Sequence, residues 1–440
     1  MKYNNYVLLI SLTAALGGLL FGFDIAIFSG TIPFIRSHFH LSDAGLGWTG
    51  SSLYLGCIIG SLLTGFITDR FGRKIPMIGA ALIFTVSYIM MGWSRGYDAL
   101  IVWRIIAGIG VGSASNLSPL YIAEISPAGS RGKLVSINQL AIVIGILMAY
   151  ISNYFLAGIE NNWRWMFASG AVPSLIFLLG VLMLPESPRW LAGRGRLRDA
   201  LSVLKKISGE KEAANEIEKI ETSLKTEIRG RFSDLVQPGI RAIVVIGIAL
   251  AVFQQISGAN AVFFYAPIIF GKAGMNVKDQ LFQQILIGLI NLTFTFVAMS
   301  LVDRLGRRLL MLAGSLLMAI FLLCIGIFFY FQVFGGIFLP VIVLAFIATY
   351  ATTLAPVTWV LISEIFPTRI RGIAISAATT MLWTACFGLA YGFPVLIGLL
   401  DAPKTFFLFA LICAVYFFVL LKFVSETKGK TLEEINSPNV

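Results

Sequence analysis

The sequence is poor in charge. Only 12% of its 440 residues are Asp, Glu, Lys or Arg, while 58% are hydrophobic. A soluble domain carries about 25% charged residues. The composition therefore excludes an ordinary water-soluble globule and makes lipid the expected solvent. Histidine is scarce, with two in the chain, and cysteine little commoner, with four. Cys57, Cys324, Cys386 and Cys413 all fall inside apolar runs, with no metal-ligand spacing and no disulfide framework. No P-loop, zinc motif or nucleophile elbow occurs. These absences argue against an enzyme, a resident metal and a cofactor. A net charge of +11 would suit a nucleic-acid binder. Here the basic residues sit in short clusters between apolar runs, a pattern of membrane topology and not of nucleic-acid binding.

What the chain has in quantity is long apolar runs. Runs of ~20 residues cross the ~30 Å hydrocarbon core of a bilayer. Twelve occur, near 7–30, 46–68, 75–94, 98–123, 133–157, 164–184, 240–271, 279–302, 309–332, 337–363, 372–399 and 404–424. The first follows Lys2 closely, but no A-x-A cleavage site comes after it and the run continues through Asp24 towards Gly30. It reads as a span and not as a signal peptide.

Basic residues set the orientation. The loops after even-numbered spans hold Arg70, Arg73 and Lys74, then Arg131 and Lys133, then Arg304, Arg307 and Arg308, then Arg369 and Arg371. The loops after odd-numbered spans hold fewer: Arg36, Arg95, Arg164, Lys272, Lys278 and Lys404. The positive-inside rule then places the even loops and both termini in the cytoplasm, with the chain in a plasma (inner) membrane. The one long polar segment runs from Pro185 to about Gly239. Within it Leu197, Leu201, Leu204 and Ile207 recur at helical spacing, as do Ile217, Ile220, Leu224 and Ile228. Two or three short amphipathic helices under the membrane domain are expected, not a catalytic domain, since so short a segment buries little core.

The chain repeats itself. GFITDRFGRK (65–74) matches SLVDRLGRR (300–308), YIAEISPAGSRG (121–132) matches LISEIFPTRIRG (361–372), and PESPR (185–189) is echoed by SETKG (425–429). Glu364 follows Glu124, and Arg371 follows Arg131, by the same 240 residues (364 − 124, 371 − 131). Three markers in one order predict an all-α membrane protein of two pseudo-symmetric six-helix halves, residues 1–184 and 240–424. A linker (185–239) joins them and a tail (425–440) follows. A parallel repeat of this kind places a substrate site at midplane between halves.

Three polar features stand inside the spans. Arg104 lies in an otherwise apolar run rich in Gly, Ser and Ala. An arginine at membrane depth costs at least ~3 kcal/mol on insertion scales, so a partner is expected, and Asp24 is the strongest acidic candidate. Gly108, Gly110 and Gly112 resemble a dinucleotide loop only superficially. With no preceding strand they read as close helix packing. Span seven carries three amides, Gln254, Gln255 and Asn260, on roughly one face, with Ser257 and Gly258 loosening the helix between them. Amides offer donors and acceptors without charge, which suits sugar hydroxyls.

With these motifs in order (D-R-x-G-R-[RK] twice, RIIAGIGVG, E-x6-R twice, PESPRWL, FQQISGAN and ETKGKTLEE), the whole chain resembles the sugar porter family of the major facilitator superfamily. The nearest likeness is to its bacterial proton-coupled symporters of the xylose and glucose type. The resemblance implies the major facilitator fold and adds Asn291, Trp359, Trp383 and Phe21 as sugar-binding positions beside Gln254, Gln255 and Asn260. Pro356 is expected to break span ten near Trp359. Asp24 and Arg104 become the proton-coupling pair: desolvation favours the neutral carboxyl and a nearby cation the ionised one, so approach and retreat of Arg104 would load and unload a proton. Facilitative carriers of the family tend to lack this carboxylate. Arg70, Arg73, Glu124, Arg131 and Glu186, mirrored by Arg304, Arg307, Glu364, Arg371 and Glu426, would form a cytoplasmic salt-bridge gate that latches the halves outward-open.

Some positions depart from the family pattern. Ile146, Leu382 and Cys386 stand where relatives carry Gln or Asn, and Phe264 replaces a tyrosine. A site short of hydroxyl partners suits a pentose or deoxyhexose, or a looser fit. The sequence reading is thus a monomeric carrier that imports a neutral monosaccharide with a proton by alternating access. A facilitative uniporter of the same fold is the nearest alternative. A non-transporting sugar sensor is disfavoured by the short tail after Val424, and an exporter of amphipathic compounds by FQQISGAN with PESPR.

Overall fold

The computed structural model describes residues 5–127, 130–226, 232–334, 337–367, 370–426 and 428. Arg369, Ile228 and most of the tail motif therefore lie outside the described residues. Every regular element among those described is helical. Eleven stretches are long and apolar enough to cross a membrane. The last, α17 (Arg371–Phe423), is 53 residues long, or ~80 Å at 1.5 Å per residue, far beyond one crossing. It is folded at Asp401, whose φ of 65° interrupts the helix two residues before Pro403, and so supplies two spans. The total is the twelve expected.

By compactness the chain falls into two units, 1–24 with 55–149 and 164–228, and 25–54 with 150–163 and 229–440. The first holds the amino-terminal part of α1 (Asn5–His38), the later part of α2 (Asp43–Phe71), α3 (Lys74–Gly92), α4 (Tyr97–Ile125) and most of α5 (Arg131–Leu156). It also holds α6 (Asn162–Ser169), apart from its first two residues, and α7 (Ala171–Met183). Helices approach closely at small residues, because the apolar effect that drives packing in water is weak in lipid. A Cβ at Gly112 would overlap the backbone carbonyl of Cys57, and one at Gly56 would sit 2.8 Å from Gly108 Cα. The glycine-rich run of α4 is therefore a packing face, against α2 at Gly108 and Gly112 and against Ile83 of α3 at Gly110, as its lack of a preceding strand implied. Gly22 and Gly145 make the same close approach between α1 and α5.

The polar linker forms α8 (Pro188–Gly193), α9 (Leu197–Ser208) and α10 (Glu210–Thr226), followed by a 3-10 turn at Phe232–Val236. Leu191, Ala192 and Ala200 make a small buried cluster, covered by Trp190, Val203, Ile217, Ile220 and Leu224. The amphipathic faces thus pack on one another. Trp190 Nε1 donates to Asp69 O (3.2 Å), and Arg194 donates to Asp69 O (2.7 Å) and Arg70 O (3.1 Å), fastening α8 to the end of α2.

The second unit holds α11 (Arg241–Ile256), α12 (Ala259–Lys272), α13 (Val277–Leu305), α14 (Arg307–Tyr330), α15 (Phe338–Thr352), α16 (Leu354–Ile365) and α17. With them pack the carboxyl-terminal part of α1, the start of α2 and the end of α5. This seam is well bonded. Tyr150 Oη donates to Phe263 O (2.8 Å), Gln284 Nε2 to Ser29 Oγ (2.6 Å), and Tyr265 Oη to Ala390 O. Tyr265 also stacks on Phe393 at 5.3 Å. A Cβ at Gly47 would overlap the Tyr391 carbonyl, so only glycine lets α2 meet α17 there.

Candidate functional site

The first cluster lies within the first unit. Asp24 on α1 and Arg104 on α4 are 0% and 1% exposed. The Arg104 charge acts on the Asp24 carboxyl, and its guanidinium lies 5.8 Å from the Phe167 ring centroid. Neither Asp24 oxygen accepts a hydrogen bond from any described residue. Tyr88 on α3 is buried beside them, its ring edge-on to Phe23, the residue before Asp24, at 6.4 Å. The pair named from sequence is therefore brought together, with a third member that the sequence did not single out. Nothing in its setting, VSYIMM, distinguishes Tyr88 from a core tyrosine.

The second cluster lies in the second unit, where span seven breaks. α11 ends at Ile256 and α12 begins at Ala259, with Gly258 at φ 90°, a left-handed conformation suited to glycine. The break re-aims the chain so that Asn260, five residues on, donates to Gln255 Oε1. Cys386 Sγ on α17 donates to the same oxygen at 3.0 Å. Gln255 Nε2 donates to Gln254 Oε1 (3.0 Å), and Gln254 Nε2 to the carbonyls of Leu354 (3.3 Å) and Ala355 (3.2 Å). The donors all point one way along this chain. It ends where span ten is itself broken, at Thr353 (φ −118°, ψ −85°). The break comes three residues before Pro356. The ring then sits in the first turn of α16, where its missing N–H is an orphan in any helix.

The amides are buried, with Gln254 2%, Gln255 7%, Asn260 9% and Asn291 4% exposed. Trp383 is buried and stacks on Tyr54 at 6.0 Å, and Phe264 lies 5.5 Å from the same ring. Tyr54 belongs to α2, and its aromatic partners give it a place that its sequence neighbours SSLYLG did not signal. Trp359 on α16 is 40% exposed. Phe21 is half-buried and belongs to the first unit, as does Ile146, which is buried. Leu382 and Cys386 are buried in the second. The thiol is not mute: it supplies a donor to Gln255.

The loop charges form one arrangement twice. In the first unit Arg73 binds Glu124 through Nε (2.9 Å) and Nη2 (2.8 Å), and the backbone N–H groups of Arg73 (2.8 Å) and Lys74 (3.2 Å) donate to Glu186. Gly72, at φ 88°, leaves the room that Glu186 fills. In the second unit Arg307 Nη2 reaches Glu364 at 3.3 Å, and Arg307 N (2.9 Å) and Arg308 N (3.0 Å) donate to Glu426. Gly306, at φ 89°, is the counterpart of Gly72. Ser187 Oγ also donates to Glu124 (2.5 Å). The remaining members are Arg70, beside Phe71 at 5.3 Å; Arg131, exposed at the start of α5; Arg304, exposed; and Arg371, whose Nε donates to Phe366 O (3.2 Å).

Comparison with known proteins shows the family. The model of the family described as sugar (and other) transporter matches residues 10–438. The chain is 41% identical to the arabinose-proton symporter of Bacillus subtilis over 98% of this chain and 94% of that one. It is 39% identical to the D-xylose-proton symporter of Escherichia coli K12, over 99% and 96%. Among solved structures, a partially occluded inward-open conformation of the xylose transporter XylE from E. coli superposes with a TM-score of 0.87. That match has 37% identity and covers 97% of this chain and 100% of that one. A multi-pass membrane protein with two charge loops of one design, a buried acid–arginine pair and an amide chain at a broken span, this chain belongs to the sugar (and other) transporter family and is a transporter, not an enzyme.

Proposed function

We propose that the protein carries a neutral monosaccharide inward together with a proton, by alternating access. The observation that carries this is Asp24, a carboxyl with no solvent exposure beside the equally buried Arg104. A structural ion pair alone would close into direct hydrogen bonds, since leaving a buried acceptor unmade is costly. Both Asp24 oxygens lack such a bond here. The relatives named as proton symporters for arabinose and xylose support the same reading.

Gln254, Gln255 and Asn260, with Asn291, Trp359, Trp383 and Phe21, bind the sugar, and the amides present donors and acceptors without charge. Pentoses head the substrates to test. Ile146 and Leu382 offer no hydroxyl partner, and the two relatives are named for pentoses. Asp24 holds the proton and Arg104 sets when it is released. The ten loop charges act as a cytoplasmic gate. The carrier works as a monomer in the inner membrane with both termini cytoplasmic, and its moving bodies are residues 1–184 and 240–424, joined by the 185–239 linker.

The test is uptake of a labelled sugar panel by proteoliposomes with and without an imposed proton gradient. Gradient-driven accumulation of a pentose or hexose is expected. Uptake of a sugar at equal level with and without the gradient would assign a uniporter instead.

A further inference from the structure

Tyr88 is the member of the Asp24 cluster to which the cycle above gives no task. Its ring is held on three sides. It stacks on Phe84 at 6.1 Å and 11°, and it meets Phe23, the residue before Asp24, edge-on at 6.4 Å. On the third side lies the bare backbone of Gly170. A Cβ built there would stand 2.7 to 2.8 Å from Cδ1, Cε1 and Cγ of Tyr88, closer than real Cβ atoms come. Gly170 is thus what admits a full-sized ring at this place. Among the described residues the hydroxyl on this buried ring has no hydrogen-bond partner, and neither has the Asp24 carboxyl. A buried hydroxyl without a partner is unfavourable. Phenylalanine would fill the same space without that cost, so packing explains the ring and leaves the hydroxyl unexplained.

We propose that Tyr88 is a positioning residue of the proton site, its hydroxyl donating to Asp24 when the carboxyl is ionised and accepting from it when the proton is bound. A phenol has one donor and free lone pairs and serves both states. Arg104 has donors only and serves the ionised state alone. Tyr88 is therefore the partner that remains to Asp24 when Arg104 retreats. The groups acting on Asp24 are Arg104 from α4 and Tyr88 from α3, and those acting on Tyr88 are Asp24 and Arg104. The inference rests on the symport reading of Asp24.

The experiment is the pH profile of gradient-driven sugar uptake in proteoliposomes. Tyr88→Phe keeps the ring and removes the hydroxyl; of the two bonds lost, the one to the ionised carboxyl is the stronger, so the proton is held to higher pH. The alkaline limb of the profile should move up by about one pH unit, the size expected for one hydrogen bond to a charged group. Gly170→Ala, which drives a methyl into the same ring, should move it the same way. In an Asp24→Asn background, read by sugar exchange, Tyr88→Phe should add no pH shift. A Tyr88→Phe limb that superimposes on the parent's overturns the proposal, as does a shift that persists without the carboxyl. A parent protein indifferent to the gradient overturns the symport reading itself, a result visible before any variant is made.

Discussion

At the scale of single residues, the amide chain of span seven is governed by a thiol. Gln255 Oε1 accepts from both Asn260 and Cys386, which fixes that oxygen and turns the Gln255 amino group towards Gln254. A thiol is a weaker donor than an amide or a hydroxyl. Its bond nonetheless helps to hold the Gln255 amide in the orientation that the proposed sugar site uses. Cys386→Ala removes the donor and should raise KM about three- to tenfold with little change in kcat, equivalent to ~1 kcal/mol of binding. Cys386→Ser, which restores a donor, should return KM to within about twofold of the parent's. Initial-rate sugar uptake measures both, and equal KM values for all three proteins would remove Cys386 from the site.

At the scale of elements, the spans that carry the amide chain are the broken ones. α11 gives way to α12 at Gly258, and α15 to α16 at Thr353. The donor chain from Cys386 to the Leu354 and Ala355 carbonyls ties one break to the other. A free carbonyl at a broken span must find a donor, because lipid offers none. Gln254 supplies it. Replacing Gly258 with alanine forces a Cβ into a left-handed conformation, at roughly 1–2 kcal/mol. The expected result is slowed transport with a lowered melting temperature in detergent. An unaltered rate would show that the break does not need that backbone. These breaks were half legible beforehand. Ser257 and Gly258 flagged the first, since glycine punctuates a helix visibly. The second was expected at Pro356, but a proline is tolerated in a first turn, so the chain turns at Thr353 and the ring begins the next helix. The aromatic group of Tyr54, Trp383 and Phe264 was only partly legible, because a tyrosine in an apolar run looks the same whether it lines a site or a core.

At the scale of the whole molecule, the repeated motifs foretold the repeated architecture. The conserved geometry of Gly72 with Glu186, and of Gly306 with Glu426, has a simple cause: a carboxylate occupies the space a side chain would need. What the repeat did not reveal is that the two copies differ in strength. Arg73 grips Glu124 through Nε and Nη2 at 13% and 8% side-chain exposure, whereas Arg307 Nη2 stands 3.3 Å from Glu364 at 15% and 24%. Bidentate, better-buried pairs are the stronger, and exposed ones contribute only ~0–1 kcal/mol. Glu124→Gln should therefore shift the conformational balance more than Glu364→Gln. Labelling of single cysteines placed in the outer and cytoplasmic loops reads the shift, and equal effects of the two variants would contradict the ranking. The Asp24–Arg104 pairing was legible because charge inside an apolar run is rare and costly. Tyr88 was not, because its role depends on the bare backbone of a glycine eighty-two residues away (170 − 88).

The central claim is that Asp24 couples sugar movement to the proton. Moving one charge through 100 mV is worth ~2.3 kcal/mol, roughly a fifty-fold concentration ratio. The most direct measurement is sugar accumulation in energised proteoliposomes by the parent protein and by Asp24→Asn, beside sugar exchange in the same vesicles. The account predicts accumulation by the parent, none by Asp24→Asn, and exchange by both. Full accumulation by Asp24→Asn would contradict it.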